Sequence, residues 1–483
     1  MANTNQNGKL GFRPYFGTAV MGLTDGLVAA LMTSFFMQYL TDYAGLGAFG
    51  AMVGSSVLLF SRIFDAVNDP LEGWLMNRAK TSRFGKYKPF IILSIFMTGL
   101  GAMALFFIPT GAHPVFTVVW VILFYLVYDM GCSFYAPNLI YRPITTDPNA
   151  RGKLLIAPRL VSMLMGMTTA ALIAIVTGVN AFFNNMHTAF GVTVCVMVFA
   201  TMLISLLGIA MVKERYHESE EEEQAYKVRL RDFITLLKEN KAIRVRLIDR
   251  AFGGFIWTFL FSCVLYYLKW GLCTDLTTGQ VDNAAYATYS MISSMLMFLP
   301  LLLGTAVASP IMKAIGSPMK FNRILLMVQA VSCGALCVFH FAGVFKAAPI
   351  LFLITVGVTA TAVGCGYIPG TTLDIECMDY EVYKAGKDRS ALCNAFYRFL
   401  DKAQSAIANS VVGFMLVAIG YVVDSTTGDF AGDVANMPSM LNWFIIMMGL
   451  IPCLCGLASY IATKFYPIDN KMRADMQEAL RKN

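Results

Sequence analysis

Long apolar stretches follow one another along almost the whole chain, and they constrain the fold more than any other feature. A helix needs about 20 mostly apolar residues to cross the hydrocarbon core of a bilayer. Twelve stretches meet this requirement: Gly17–Leu40, Gly50–Trp74, Pro89–Ile108, Val115–Tyr135, Leu154–Val179, His187–Val212, Ile248–Leu268, Tyr286–Met312, Ile324–Phe345, Pro349–Pro369, Leu392–Val423 and Pro438–Thr463. Of the 483 residues, 57% are hydrophobic and 14% are charged, whereas soluble domains carry about a quarter charged residues. The sequence therefore predicts an all-α membrane protein with twelve transmembrane helices.

One long polar stretch separates the first six spans from the last six. It begins at Lys213 and contains the acidic run Glu218–Glu223. Two six-helix halves joined by such a loop are the layout of major facilitator transporters, whose substrate site lies near mid-membrane between the halves. We expect two pseudo-symmetric bundles, at 1–212 and 248–464, with a middle loop at 213–247 and a tail at 465–483. Within the loop, Lys227–Arg246 has apolar residues at helical spacing, which predicts a short amphipathic helix on the membrane surface.

The basic residues are distributed unequally between the two sets of loops. One set and the tails hold most of them, while the opposite set holds only Lys269 and Lys346. Because lysine and arginine favour cytoplasmic loops, both termini and the middle loop are expected in the cytoplasm, for a chain in the cell (inner) membrane. The net charge of +7 is dispersed over these loops, whereas a nucleic-acid surface needs one contiguous basic face. We expect no nucleic-acid partner, and we expect the first apolar run to be retained as a membrane helix.

The second span carries two carboxylates in the middle of an apolar run. A charged group at mid-bilayer costs about 2.5–3.5 kcal/mol on insertion scales, so such groups persist when they pair or face water. Asp65 and Asp69 are one helical turn apart on one face, with Asn68 beside them. Three hard oxygen ligands of this kind suit a hard cation, so Asp65 and Asp69 are candidate metal ligands. A salt bridge to Arg62 is the alternative, although one arginine cannot neutralise two aspartates.

Further polar residues lie within other spans. Asp25 has no local counter-charge, and a carboxylate recognises paired sugar hydroxyls well; pairing with a base on another helix is the alternative. Candidate substrate contacts on the later spans are Asp129, Tyr135, Asn138, Arg159, Arg398 and Lys402. Arg159 is near enough to the end of its span to reach the cytoplasm instead. Arg398 and Lys402 share one helical face, and an acid must meet them, for which Asp401, Asp25 and an anionic substrate are the candidates.

Three ordered stretches resemble the glycoside–pentoside–hexuronide:cation symporter family. The first runs from Arg62 to Gly73 as RIFDAVNDPLEG and continues from Asn77 to Pro89 as NRAKTSRFGKYKP. The second runs from Thr145 to Arg159 and resembles the family's loop between helices four and five. The third runs from Asp379 to Lys402 and resembles its tenth-to-eleventh helix region. The resemblance covers nearly the whole chain, and the helix count agrees with it.

The resemblance implies roles for individual residues. Asp65, Asn68 and Asp69 match the family's cation site, and Cys132 matches a position where a hydroxyl contributes to it. Arg159 and Lys402 match positions in or near the sugar site, and Asp25 falls within a residue or two of a sugar-binding carboxylate. Tyr135 occupies the place of a further sugar-binding aspartate. The implied coupling ion is Na⁺, Li⁺ or H⁺, and a thiol at Cys132 is a poor ligand for sodium.

These observations together predict a secondary active transporter that carries a sugar with a monovalent cation by alternating access. The sugar is either a neutral glycoside or pentoside or an anionic one, since the pocket loses one acid and gains Arg398. No cofactor and no covalent chemistry are expected. Arg78 and Arg83 are expected to anchor the cytoplasmic gate through acidic groups and lipid headgroups. The rival hypotheses are a membrane enzyme, a lipid or peptide transporter of the same fold, and a non-transporting sugar sensor.

Overall fold

A computed structural model describes residues 11–78, 85–109, 111–135, 144, 158, 161, 164–166, 168–213, 230–385, 390–424 and 428–482. At some helical positions, Asp69 and Arg398 among them, the backbone is described and the side chain is not.

The described part of the chain is helical, apart from two isolated β-bridges in loops. The helices are α1 (Phe12–Val20), α2 (Leu23–Ser34), α3 (Phe36–Gln38), α4 (Gly47–Arg78), α5 (Lys88–Leu105), α6 (Pro114–Phe134), α7 (Leu172–Phe183), α8 (Met186–Met211), α9 (Leu230–Glu239), α10 (Lys241–Tyr267), α11 (Asn283–Ile315), α12 (Pro318–Phe341), α13 (Val344–Ala347), α14 (Ile350–Ala385), α15 (Ser390–Ile419), α16 (Met437–Ile445), α17 (Ile451–Thr463) and α18 (Asn470–Lys482). Three π-helical turns extend these helices, at Tyr39–Tyr43, Leu268–Leu272 and Ile446–Leu450.

Among the described residues, ten helices are long and apolar enough to cross a membrane. Two shorter apolar helical stretches, Gly47–Ser61 and Leu172–Phe183, overlap the second and fifth predicted spans. Each of the twelve predicted spans therefore contains apolar helix. Large apolar side chains such as Phe199, Leu207 and Leu123 are more than half exposed, as expected for surfaces that face lipid.

Two predicted spans differ from the observed helices, one at a proline and one at a glycine. The tenth span does not end at Pro369, since α14 continues through this proline to Ala385. Membrane helices tolerate an interior proline because neighbouring groups satisfy the freed backbone carbonyl. The first span is not one continuous helix: it breaks at Met21–Gly22, where α1 ends and α2 begins.

The predicted amphipathic helix is present as α9, but it is shorter than the predicted segment. Asn240 separates it from α10, and the Asn240 side chain caps α10 by accepting a hydrogen bond from the Ile243 amide. The stretch from Lys241 to Arg246 therefore belongs to the membrane helix α10. Leu236 of α9 packs in a buried cluster with Leu373 of α14, so this part of α9 faces protein.

The described residues form two compact units. One consists of Met1–Met32, Ile63–Thr169 and His187–Tyr226, and the other of Thr33–Arg62, Ala170–Met186 and Lys227–Asn483. The second unit thus contains two stretches of the predicted N-terminal half together with the whole C-terminal half. Its tail helix α18 is held to α14 by an ion pair between Arg473 and Glu376.

Candidate substrate and cation sites

The break in the first span places Asp25 at a helix start in the first unit. Asp25 lies in the first turn of α2, where the helix dipole favours a negative charge. The neighbouring Thr24 fixes this turn, because its hydroxyl and amide both lie within about 3 Å of the Ser205 hydroxyl on α8, at 3.0 and 3.1 Å. The start of α2 is therefore anchored to α8.

Tyr135, at the end of α6, comes into close contact with the same helix break. A Cβ atom added at Gly22 would lie 2.2 Å from the Tyr135 hydroxyl oxygen. No side chain fits between them, so glycine at this position lets the tyrosine reach the start of α2. The structure thus brings two predicted substrate residues, Asp25 and Tyr135, to one place.

The α6 helix adds two more of the predicted residues to this group. Asp129 is buried and Cys132, three residues later, is half-buried. The Cys132 thiol lies close to the side chains of Tyr128 and Thr98, and it lies within electrostatic range of Asp25 and Asp129. Two carboxylates, a thiol and a phenol from α2 and α6 therefore form one polar cluster, which we call the first-unit cluster. Its hydroxyl and carboxylate groups can bind the hydroxyl groups of a sugar.

The α4 helix carries the predicted cation ligands. Asp65 is buried, at 5% exposure, and Asn68 is half-buried. The backbone of Asp69 continues the same helix one turn after Asp65, and its side chain lies outside the described residues. The i and i+4 spacing that the sequence predicts for the two aspartates is therefore present in the backbone.

Several other predicted residues cannot be placed. Asn138, Arg159 and Arg83 lie outside the described residues, as do the side chains of Arg78 and Arg398. Lys402 is described on α15 and is half-buried. Their assigned roles stay predictions.

A network of charges in the second unit was not expected from the sequence. Arg250 of α10 donates from two nitrogens to both carboxylate oxygens of Asp401 on α15, at 2.9 and 2.7 Å. Its third nitrogen donates to Asp374 on α14 at 2.8 Å. Asp401, which the sequence analysis offered as a partner for Arg398 and Lys402, is thus engaged by an arginine of another helix.

Arg246 continues the network one turn earlier on α10. Its guanidinium is buried and donates to Asp374 at 2.7 Å, to the Gly370 carbonyl at 3.1 Å and to Asp249. Asp249 also accepts from Asn322 at 3.2 Å and from the Ser459 hydroxyl. The network therefore joins α10, α12, α14, α15 and α17.

A signal for this network is present in the sequence. Asp249 and Arg250 fall inside the seventh predicted span, as the second and third of its residues. Asp374 lies five residues beyond the tenth predicted span, which ends at Pro369. Charges inside spans are functional candidates by default, and extending that rule to the ends of the spans would have found these residues.

A family model described as "MFS/sugar transport protein" matches residues 17–470. The glucuronide carrier protein homolog of Escherichia coli is 22% identical over 96% of this chain and 94% of its own length. A putative sulfoquinovose importer of Salmonella typhimurium is 31% identical over 30% of this chain and 31% of its own length. The sodium-dependent lysophosphatidylcholine symporter 1-B of Danio rerio is 34% identical over 21% and 19%, respectively.

A crystal structure of a bacterial homolog of the human lysosomal transporter Spinster has the same fold, with a TM-score of 0.63 at 12% identity. The alignment covers 95% of this chain and 97% of that one. The predicted fold class, an all-α membrane protein with the major facilitator fold, is confirmed, and the family is one of transporters rather than enzymes. The chain belongs to the MFS/sugar transport protein family, the glycoside–pentoside–hexuronide transporters, as the three sequence stretches predicted.

Proposed function

We propose that this protein is a symporter that carries an anionic sugar together with a monovalent cation by alternating access. The sugar would bear a carboxylate or a sulfonate. The protein would lie in the inner membrane with both termini in the cytoplasm, as the distribution of lysine and arginine predicts. Its domains would be two six-helix bundles at 1–212 and 248–464, joined by a middle loop at 213–247 and followed by a tail at 465–483.

The observation that best supports an anionic substrate is the ion pair between Arg250 and Asp401. Both carboxylate oxygens of Asp401 already accept hydrogen bonds from this guanidinium. Asp401 is therefore engaged by α10, and the i and i+4 spacing of Arg398 and Lys402 predicts two positive charges on one face of α15. Arginine recognises carboxylates and similar planar anions through paired hydrogen bonds. Two relatives support this choice, since a glucuronide carrier protein homolog and a putative sulfoquinovose importer are both named for sugars with an acidic group.

The observation that supports the cation site is the buried position of Asp65 on α4. A buried carboxylate is a favourable place for a cation, and the helical spacing predicts that Asn68 and Asp69 add oxygen ligands within one turn. We propose that these three residues hold Na⁺, Li⁺ or H⁺ and that Cys132 lies close to the cation. The relative from Danio rerio is named as sodium-dependent. By linkage, the cation would raise the affinity for sugar and the sugar would raise the affinity for the cation by the same factor.

The test is competition binding on purified protein, with an aryl glucuronide and the matching neutral aryl glucoside. We expect the glucuronide to bind more tightly, and we expect Arg398→Gln to remove this preference. Arg244→Gln is the matched control, because Arg244 is an exposed arginine on α10. Lysophosphatidylcholine serves as the lipid competitor, and we expect no competition from it.

Each outcome addresses a separate part of the proposal. A preference for the glucoside that Arg398→Gln leaves unchanged would contradict the anionic substrate but not sugar transport. Competition by lysophosphatidylcholine alone would contradict both and favour a lipid transporter.

A further inference from the structure

Two π-helical turns face each other in the second unit, and each carries one charge. The first span ends in the turn Tyr39–Tyr43, which contains Asp42. The seventh span ends in the turn Leu268–Leu272, which contains Lys269. These two spans are the first of their six-helix halves, so the two charges occupy corresponding positions in the halves. Isolated π-helical turns are rare and are frequent at functional sites.

The two charges form a buried ion pair. The Lys269 Nζ atom is 2.7 Å from the Asp42 Oδ2 atom, and the side chains are 3% and 0% exposed. The other carboxylate oxygen of Asp42 accepts from the Tyr421 hydroxyl at 2.7 Å and from the Thr41 hydroxyl at 2.8 Å. Both carboxylate oxygens of Asp42 thus have partners. Two of these partners, Lys269 and Tyr421, belong to the C-terminal half.

Aromatic side chains enclose the pair. The ammonium group of Lys269 lies 4.4 Å from the centre of the Trp270 ring, a cation–π contact. The Trp270 Nε1 atom donates to the Tyr421 hydroxyl at 2.7 Å, and Tyr421 in turn donates to Asp42. On the other side, the Thr41 hydroxyl lies 3.0 Å from the Tyr266 hydroxyl. The contacts therefore form one connected network around Asp42.

Two segments with a shared sequence pattern lie beside this network. The segments 274–281 (TDLTTGQV) and 423–430 (VDSTTGDF) each contain Asp-x-Thr-Thr-Gly, and the two ends of each segment are joined by a β-bridge. Gly279 and Gly428 have φ values of +75° and +80°, which glycine adopts without strain. The Phe430 amide donates to the Gly279 carbonyl at 3.0 Å, and the Phe430 ring packs against Trp270 with 5.4 Å between ring centroids. The described ends of the two segments therefore contact each other and Trp270, next to the ion pair.

The contact between the halves continues along α4 and α15. The Ser410 hydroxyl donates to the Ser55 carbonyl at 3.0 Å, and both serines are buried. A Cβ atom added at Gly413 would lie 1.7 Å from the Ser55 Oγ atom. The two helices thus touch closely in this segment.

We propose that the Asp42–Lys269 ion pair is the lock of an extracellular gate between the two halves. The inference rests on the alternating-access cycle of the proposed function and on the predicted orientation, which places Lys269 outside the cell. Opening this end must separate the first span from the seventh and so must break the pair. Charges suit a reversible contact because water solvates both groups once the gate opens, which offsets the loss of their attraction.

This mechanism predicts opposite effects for single and double substitutions. Asp42→Asn leaves the Lys269 charge buried without its counter-ion, and Lys269→Met leaves Asp42 in the same position. A buried unpaired charge is costly, so both single variants should favour the open gate, where the remaining charge is hydrated. The double variant Asp42→Asn/Lys269→Met buries no unpaired charge, so it should favour the closed gate.

The test is the accessibility of a cysteine placed in the contact between α4 and α15. Ser410→Cys is nearly isosteric and buried, and a membrane-impermeant maleimide added outside intact cells should label it only when the gate is open. Protein without Ser410→Cys gives the background from the native cysteines. We expect each single variant to raise the labelling rate by about a hundredfold or more, which corresponds to the lower range for a broken buried pair. We expect the double variant to bring the rate back to or below the starting value.

A merely structural role predicts the reverse order, with the double variant at least as accessible as either single variant, and this result would overturn the proposal. Equal labelling of all variants would do the same. Monodisperse elution in size-exclusion chromatography identifies variants that fold. Accessibility is measured without substrate, so a wrong assignment of the transported solute leaves this test unaffected.

Discussion

Replacing Arg246 by methionine tests whether the buried charge network holds the C-terminal helices together. Arg246 is 7% exposed and donates to Asp374, Asp249 and the Gly370 carbonyl. Methionine fills a similar volume but leaves Asp249 buried, at 3% exposure, without its cation. Breaking a buried pair by removing one partner costs about 3–5 kcal/mol.

The remaining contacts place the expected loss at the lower end of that range. Asp374 keeps its ion pair with Arg250, and Asp249 keeps hydrogen bonds from Asn322 and Ser459. We therefore expect the free energy of unfolding to fall by about 3 kcal/mol. Adding Asp249→Asn removes the unpaired charge and should restore about 1 kcal/mol or more of this loss, because the two sites are coupled.

The assay is equilibrium unfolding in mixed micelles with increasing sodium dodecyl sulfate. Unfolding is followed by the reaction of buried native thiols, such as Cys263 and Cys377, with a fluorogenic maleimide. Arg244→Met is the matched control, since Arg244 is exposed on the same helix, and it should unfold like the unsubstituted protein. A loss of less than about 1 kcal/mol for Arg246→Met, the range of an exposed ion pair, would refute the reasoning.

Two further predictions concern residues assigned from the sequence. Asp69→Cys should abolish uptake of sugar against a gradient while some sugar binding survives, because coupling needs the second carboxylate beside Asp65. The control is Asp475→Asn, since Asp475 is exposed. Accumulation of sugar by the Asp69→Cys variant in proteoliposomes would show that Asp69 is not part of the cation site. Neutralising Arg78 and Arg83 together with glutamine should slow transport more than it weakens sugar binding, because these groups are expected to hold the cytoplasmic gate; weaker binding at an unchanged rate would contradict that role.

The apolar spans could be predicted because the requirement behind them is local. Each helix must by itself present about 20 apolar residues to the bilayer, and all twelve predicted stretches contain apolar helix. The family could be predicted for a similar reason, since its ordered motifs are continuous in the chain. The pairing of Asp65 and Asp69 on one face follows from the helical repeat alone.

The ion-pair partners of the charged residues could not be predicted. The helical repeat tells on which face of a helix a residue lies, but it does not tell which other helix packs against that face. Asp42 and Lys269 are 227 positions apart, and Arg250 and Asp401 are 151 apart. From the sequence, Asp401 was a candidate partner for Arg398 and Lys402, which are its close neighbours on α15. Only the packing of α10 against α15 brings Arg250 to it.

The extents of the helices also depend on tertiary contacts. The sequence ends the tenth span at Pro369, whereas α14 reaches Ala385 because its polar end is held by protein: Glu376 pairs with Arg473, and Glu381 accepts from Asn240 at 3.0 Å. Hydropathy measures only the cost of leaving water for lipid. It therefore determined which segments of this chain cross the membrane, while the places where buried charges meet were decided by helices that approach one another only in the folded protein.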